Sequence, residues 1–297
     1  LSNPEFLSEG TAINDLEKPD RILIGGNDPD SIKALVDIYL NWVDIDKIIT
    51  TNLWSSELSK LISNAFLAQR VSSINSVALI CQKTGANIQE VSKAIGSDSR
   101  IGKYFLEPGP GFGGSCFKKD ILNLVYLCDH FNLPEVACFW ENIITFNSWH
   151  QENLVKIIVQ KLFGTLAGKK IIILGFAFKS NTNDTRESPA IYIVNQLIKE
   201  GAKLIINDPK VNKQQIEQDL DNFSSKNDNG KSTSSLGSWE FCEDIENSFD
   251  DAHAVLILTE WKEYINFEWD KISKKLLNTA WIFDARGILN KDTFKNL

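Results

Sequence analysis

Cys116 lies in Gly111-Phe112-Gly113-Gly114-Ser115-Cys116-Phe117-Lys118-Lys119-Asp120, between a glycine-rich run and a pair of lysines. Nucleophilic chemistry at sulfur needs the thiolate, and the positive potential of a helix start favours it. The apolar spacing from Ile121 to Phe131 predicts a helix just beyond the cysteine. Lys118 and Lys119 would add positive charge at the same place. The glycines let a ligand approach the backbone closely, because no Cβ stands in the way. The competing reading is a buried, inert cysteine behind a tight turn. A cysteine hydrolase would also need an imidazole partner, and none of His130, His150 and His253 lies in a recognisable motif.

Other polar residues are spaced so that they could act together. Lys60 and Asn64 stand at i and i+4 of a long helical pattern and so share one helix face. Taken alone, such a pair is a solvated polar face. Asp120 falls in the first turn after the cysteine, where an acid complements the helix dipole. Glu5 and Glu9, taken alone, are loop surface charges.

The elements that must hold these residues follow from periodicity. Arg21 to Gly26 reads as a short strand ending in glycines, Ser31 to Trp42 as a helix and Lys47 to Thr51 as a further strand. Apolar residues from Leu58 to Cys81 recur at three- and four-residue steps, with Ser55 or Ser56 as cap and Gly85 as stop. That predicts a helix of ~30 residues, ~45 Å long. A helix of that length packs along several neighbours or across a subunit interface. Asn87 to Ile95 is a short helix capped by Asn87 and stopped by Gly96; Ile121 to Phe131 and Pro134 to Phe163 are further helices. From Gly168 the period changes. Strands are expected at Lys170–Gly175, Lys203–Asp208, Ala252–Thr259 and Ala280–Asp284, with helices between, among them Ser188–Glu200 closed by Gly201. This alternation implies a parallel sheet with crossover helices. Ser224 to Ser238 is polar and of low complexity, and reads as a loop.

The fold class expected is therefore α/β. The tail of an N-terminal α/β domain (1–52) leads into a mainly α-helical central domain (53–163), followed by a Rossmann-like parallel-sheet domain (164–297). After Leu174 the last domain reads Gly175-Phe176-Ala177-Phe178-Lys179 in place of GxGxxG. Lacking the second glycine, it cannot seat a dinucleotide pyrophosphate at the helix start in the usual way.

The 297 residues carry a formal charge of −8, which argues against a general nucleic-acid or anionic-membrane binder. No apolar run approaches the ~18 residues of a membrane span. Five cysteines without a CxxC pair suit free thiols in a reducing cytoplasm better than a disulfide framework or a metal site. The sequence contains no Met and begins at Leu1-Ser2-Asn3-Pro4, which leads us to expect a piece of a longer protein.

The ten-residue cysteine segment closely resembles the active-site motif of the nucleotide-sugar dehydrogenase family, in its UDP-glucose branch. Four further segments resemble that family in the same order: Asn3-Pro4-Glu5-Phe6-Leu7-Ser8-Glu9-Gly10; Ser56 to Ala65; Gly175 to Lys179 with Asp184-Thr185-Arg186-Glu187-Ser188; and Phe283-Asp284-Ala285-Arg286. The resemblance spans essentially the whole chain. It implies NAD as cofactor, UDP-glucose as substrate and four-electron oxidation of the sugar C6 alcohol to a carboxylate, with Cys116 forming a thiohemiacetal and then a thioester. By the same resemblance Lys60 and Asn64 stabilise negative charge at the reacting oxygen, Asp120 positions water or moves protons, and Glu5 is the base for thioester hydrolysis. Phe6, Leu7, Phe112, Gly113, Phe178, Lys179 and Arg286 face the substrate, with Arg100 offered to a neighbouring subunit's sugar site. Glu9, Lys119 and Arg186 face the cofactor. A homodimer or higher homo-oligomer through the central helices is implied. Two departures bear on the sugar site: Ala285 replaces the family's glycine, and Pro108-Gly109-Pro110 precedes the cysteine loop. The alternatives are a dehydrogenase of GDP-mannose or UDP-N-acetylmannosamine, or a non-catalytic nucleotide-sugar-binding module.

Overall fold

A computed structural model describes residues 1–227 and 237–290. The chain divides into two compact units, Leu1–Leu67 with Lys119–Glu141, and Ala68–Lys118 with Asn142–Leu297.

The first unit contains α1 (Ala12–Glu17), β1 (Ile22–Gly25), α2 (Pro29–Tyr39), β2 (Ile48–Thr51) and the first half of α3 (Leu53–Thr84). β1 and β2 pair in parallel, with Ile22 opposite Ile48 and Gly25 opposite Thr51. Between them α2 crosses over, turning Ile32, Leu35, Val36 and Tyr39 onto buried Ile22, Ile24 and Val43. It begins at Pro29, two residues earlier than its apolar spacing suggests. Asp28 caps it by accepting from the Ser31 N–H at 3.0 Å, and a proline at the first position loses no helical bond. α3 likewise starts at Leu53, because Asn52 Oδ1 accepts from the Ser55 N–H at 2.8 Å. Neither Ser55 nor Ser56 is the cap. Ser56 is buried, and its hydroxyl donates to Ser2 Oγ at 3.2 Å. Gly25 exchanges both backbone hydrogen bonds with Ser2, at 2.7 and 2.8 Å. A Cβ on Gly25 would stand 2.3 Å from Ser56 Cβ, so glycine is required for this segment to lie against α3.

The second unit holds the remainder of α3, α4 (Ile88–Gly96) and the C-terminal part of α6 (Pro134–Lys161), ahead of a five-stranded sheet. α5 (Phe117–His130) begins directly after Cys116, four residues before the first apolar position that marked it in the sequence. The sheet comprises β3 (Lys170–Leu174), β4 (Lys203–Asn207), β5 (Ser238–Phe241), β6 (Ala254–Ile257) and β7 (Trp281–Asp284), interleaved with α7 (Pro189–Lys199), α8 (Lys213–Asn227), α9 (Lys262–Ile265) and α10 (Trp269–Lys275). Its order is β5-β4-β3-β6-β7 and every pairing is parallel. This is the doubly wound order that reverses direction between β3 and β6. Ile171 to Leu174 and Ala254 to Ile257 are fully buried, and Ile158, Leu162 and Leu166 pack onto the same core. Burying each large aliphatic side chain contributes about 1.5–3 kcal/mol.

Edge strand β5 was not expected, because its alternation of exposed Ser238 and Glu240 with half-buried Trp239 and Phe241 adjoins a polar tract. The loop expected at Ser224–Ser238 starts inside the last turn of α8, and residues 228–236 of it lie outside the described residues. Among the described residues no helix is long and apolar enough to cross a membrane. The five cysteines are unbridged.

Candidate active site

In the first unit, α3 places Lys60 and Asn64 one turn apart on a common face. Lys60 Nζ is 3.5 Å from Glu5 Oε1 and 5.4 Å above the Phe6 ring, while the Arg21 guanidinium sits over the same ring at 3.9 Å. Glu5 turns its other oxygen to the Leu7 N–H at 2.8 Å, which fixes the Glu5–Leu7 stretch. Asn64 is buried and donates to Asp120 Oδ2 at 2.5 Å; Asp120 is itself buried in the first turn of α5. Asp120 is thus both the dipole-complementing acid of that turn and the partner of Asn64. Lys119 Nζ approaches its other oxygen at 3.9 Å. Four of the residues singled out for chemistry, Glu5, Lys60, Asn64 and Asp120, are therefore linked as two carboxylate–donor pairs. A cleft of about 550 Å³ in this unit is lined in part by Asn3, Pro4, Lys60, Asn123 and Tyr126. Glu9 is exposed and Leu7 is 38% exposed.

In the second unit the cysteine loop is buried from Gly109 to Gly114, whereas Cys116 is exposed at the start of α5. A buried, inert thiol is thereby ruled out. Cys116 Sγ lies 3.6 Å from Ser115 Oγ, and Lys118 Nζ pairs with Glu187 Oε2 at 2.9 Å. Both lysines beside the cysteine are thus engaged by carboxylates, which tempers the positive charge expected there. Phe178 packs on the loop: a Cβ on Gly113 would lie 2.9 Å from Phe178 Cβ, and one on Gly114 3.2 Å from its ring. Arg286 is fixed by its own fold. Nε donates to Leu258 O and Nη2 to Phe178 O, both at 2.8 Å, and Nε is 3.2 Å from Glu260 Oε2. Burial lowers its pKa from the usual guanidinium value. Gly109 lies against the guanidinium, with no room for a Cβ beyond 3.0 Å from Nη1. Phe112, Gly113, Phe178 and Arg286 therefore meet around one loop, and Lys179 Nζ follows at 5.4 Å from the Phe178 ring. Ala285 packs against the sheet core, which accommodates its methyl.

Arg186 and Arg100 make local contacts. Arg186 forks onto Asp184 at 2.9 and 2.8 Å, and its carbonyl accepts from the Gly114 N–H at 2.9 Å. Arg100 forks onto Asp98 with its side chain 87% exposed. Its hydrogen bonds with Asp98 hold that carboxyl below the usual range. Arg70 secures the turn that follows, donating to the carbonyls of Ile101, Gly102 and Tyr104 at 2.7–2.9 Å.

Several residues around the site escaped the sequence reading. Asp208, at the end of β4, accepts from the N–H groups of Phe176 and Ala177 at 2.7 and 3.0 Å and from Trp261 Nε1 at 3.2 Å. Those backbone donors follow the turn at Gly175 (φ +97°), where a dinucleotide fold presents N–H groups to phosphate. An internal carboxylate holds them here, which agrees with the missing glycine fingerprint. The turn after β1 is similar: Asp28 occupies the α2 N-terminus, its carboxyl held below the usual range chiefly by the Ser31 hydroxyl. Asn75, Asn147 and His150 also contact the cysteine loop. Their trace in the sequence is a polar residue inside each otherwise apolar helical pattern.

Comparison with known proteins gives three matches to one family: residues 1–43 match the NAD binding domain of the UDP-glucose/GDP-mannose dehydrogenase family, 54–149 its central domain and 172–291 its UDP binding domain. The UDP-glucose 6-dehydrogenase of Gallus gallus is 53% identical over 98% of the chain and 59% of its own length. UDP-glucose 6-dehydrogenase 3 of Arabidopsis thaliana is 47% identical over 100% of the chain and 64% of its own length. The chain thus spans about three fifths of such relatives. The structure of a UDP-glucose dehydrogenase from Pyrobaculum islandicum superposes with a TM-score of 0.79 at 29% identity, covering 96% of this chain and 63% of that one. With three successive domain models of one family matched in order, and a cysteine motif embedded in the second, the chain belongs to the UDP-glucose/GDP-mannose dehydrogenase family.

Proposed function

We propose that the chain forms the substrate half of an NAD-dependent dehydrogenase that oxidises UDP-glucose to UDP-glucuronate, with Cys116 as covalent nucleophile. The observation that carries this reading is the exposed thiol at the start of α5, on a buried glycine loop packed against Phe178 and Arg286. When bound, NAD accepts the hydride, two molecules serving each turnover. In the first oxidation the C6 alcohol loses a hydride and its hydroxyl proton to give the aldehyde. The Cys116 sulfur then bonds to the aldehyde carbon, and the resulting alkoxide takes up a proton to give a thiohemiacetal. Loss of a second hydride from that carbon, with the hydroxyl proton, leaves a thioester. Water adds to the thioester carbon, the C–S bond breaks, and the carboxylate departs while the thiol is restored. Lys60 and Asn64 stabilise negative charge on the reacting oxygen. Asp120 and Glu5 handle protons and water in the hydrolytic step. Lys179, Phe178 and Arg286 serve the nucleotide sugar, with Phe6, Leu7, Phe112 and Gly113 as further contacts; Glu9, Lys119 and Arg186 serve the cofactor.

The chain of 297 residues is expected to bind UDP-glucose and not to reduce NAD. Neither strand–glycine turn, at Gly25 or at Gly175, carries GxGxxG, and at each an aspartate, Asp28 or Asp208, accepts from backbone N–H groups. Without a positioned nicotinamide, about 7–11 kcal/mol of catalytic advantage is lost. Calorimetry with UDP-glucose beside an absorbance assay for NADH tests both halves. Steady NADH formation by this chain would show that the cofactor site has been misplaced, and absence of heat on UDP-glucose addition would remove the substrate assignment.

We also propose assembly through the central helices. Phe66 and Ile80 of α3 and Phe139 and Trp149 of α6 are large apolar side chains left 44–61% exposed, and packing against a second copy would take them out of water. Arg100, on its exposed turn, would then serve a neighbouring copy. Sedimentation at micromolar concentration is expected to give at least a dimer. A strict monomer with full UDP-glucose affinity would contradict the assembly and the role of Arg100 together.

A further inference from the structure

The segment Gly109–Gly114 is buried yet forms neither helix nor strand. Buried backbone groups of this kind must find partners outside regular ladders. Three side chains from two helices supply them. Asn75 Oδ1, on α3, accepts from the Gly109 N–H at 2.8 Å. His150 Nε2, on α6, meets the Gly109 carbonyl at 2.9 Å. Asn147, one turn before His150, accepts from the Phe112 N–H at 2.9 Å and donates to the Phe112 carbonyl at 3.2 Å, copying a peptide–peptide contact. All three are at least nine-tenths buried, with relative exposures of 1%, 8% and 9% for Asn75, Asn147 and His150.

Because a carbonyl only accepts, His150 carries its proton on Nε2. Burial pushes its pKa below the ordinary imidazole range, so it remains a neutral donor at neutral pH. On the opposite side of the loop the Gly114 N–H donates to Arg186 O, and a Cβ on Gly113 would stand 2.6 Å from Glu187 O. Gly111 adopts φ +125°, and a Cβ there would lie 2.8 Å from Asn147 Oδ1. The loop is held from both sides, and Cys116 follows two residues beyond it.

We propose that Asn147 and His150, with Asn75, are positioning residues for the reaction at Cys116: they fix the backbone from Gly109 to Phe112 and thereby set where the sulfur stands as α5 begins. The proposal rests on the reading of Cys116 as nucleophile. These three side chains act through the loop, so their loss falls first on steps at sulfur; Phe178, Lys179 and Arg286, outside the loop, keep the main contacts to the nucleotide sugar and limit the change in UDP-glucose affinity that a shift of Phe112 brings. A displacement of about 1 Å at a reacting atom is enough to cost ~10²-fold in rate.

The test uses the full-length enzyme. Asn147→Ala and His150→Phe are expected to lower kcat by about ten- to a hundredfold while KM for UDP-glucose stays within about threefold. His150→Gln, whose amide can still donate to the Gly109 carbonyl, is expected to recover most of the loss. The iodoacetamide reaction rate of Cys116, measured with Cys138 and Cys242 replaced by serine, should change in step with kcat. Should the phenylalanine variant fail to fold, His150→Asn and Asn147→Ser shorten the same contacts without adding bulk and carry the same expectation. Folded variants with kcat within about twofold of wild type, alongside an inactive Cys116→Ser, would overturn the positioning role and leave the nucleophile intact. A His150→Gln as slow as His150→Phe would overturn the hydrogen-bond account. Uronic acid release by Cys116→Ser would remove the nucleophile and this proposal with it.

Discussion

Cys116→Ser is expected to abolish uronic acid release by the full-length enzyme, lowering turnover by at least about 10³-fold, or ~4 kcal/mol in barrier. The size follows from the chemistry. After the first hydride loss the aldehyde carbon cannot yield a second hydride until a nucleophile has added, and a serine hydroxyl is far less ionised than a thiol at neutral pH. The described hydrogen bond at the sulfur is with Ser115 Oγ, which is no base, and His150 is committed to the Gly109 carbonyl. The variant should still bind UDP-glucose, because Phe178 and Arg286 are held by backbone contacts that do not involve the sulfur. Cys138→Ser, at another exposed thiol, is the control and should leave turnover unchanged. Product analysis by mass, with NADH counted per sugar consumed, distinguishes arrest after the first oxidation from loss of both. Unimpaired acid formation by Cys116→Ser would end the covalent mechanism.

Much of this arrangement was legible in the sequence, for reasons particular to each element. β3 and β6 are apolar on both faces because helices cover both sides of the sheet, so Lys170–Leu174 and Ala254–Ile257 read as near-continuous runs. α3 was legible because its apolar residues recur with helical spacing over its length. Helix starts were misplaced where a cap outside the apolar pattern sets the boundary, as at Asp28 and Asn52. α5 begins four residues early because its first turn, Phe117 to Asp120, carries no apolar periodicity to mark it: Phe117 meets the Phe112 ring and Asp120 accepts from Asn64. The spacing of Lys60 and Asn64 showed that they share a helix face, while their assignment to a site rested on the family resemblance. Asn75, Asn147 and His150 were not predictable, because nothing in a helical pattern says that its polar residue will meet a loop 34 to 41 positions away in sequence. The carboxylates facing Lys118 and Lys119 were also missed as partners. Glu187 is 69 residues from Lys118 and adopts φ +53°, a conformation set by tertiary contacts.

The Asp208 carboxylate organises the turn that carries Phe178 and Lys179, and Asp208→Ala is expected to be the most damaging single change in the sheet domain. Oδ2 accepts from Phe176 N, Ala177 N and Trp261 Nε1; Oδ1 accepts from Lys210 N and Val211 N at 2.9 and 3.0 Å. Asp208 is 4% exposed, and Phe176 and Ala177 are buried with it. A buried donor left without a partner costs about 1–3 kcal/mol. Water entering the space left by the side chain would satisfy some of the five donors, which brings the expected loss to ~4 kcal/mol, at the upper end for single substitutions. For a unit of this size that corresponds to a fall in Tm of about 8–16 °C. Asp208→Asn should be nearly as harmful although its volume is unchanged. The remaining oxygen can face either the three donors at Oδ2 or the two at Oδ1, but the new amide NH₂ must then face the other set as donor against donor. UDP-glucose affinity should fall along with stability in both variants, since the strand-end turn that holds Phe178 against Gly113 and Gly114 loses its anchor. Thermal unfolding and calorimetry on the same preparations separate the two effects. A loss below about 3 °C for Asp208→Ala, with unchanged affinity, would mean that the turn is held by the packing of Thr259 against Gly175 and by the bond from Thr259 Oγ1 to Ala177 O at 2.6 Å instead.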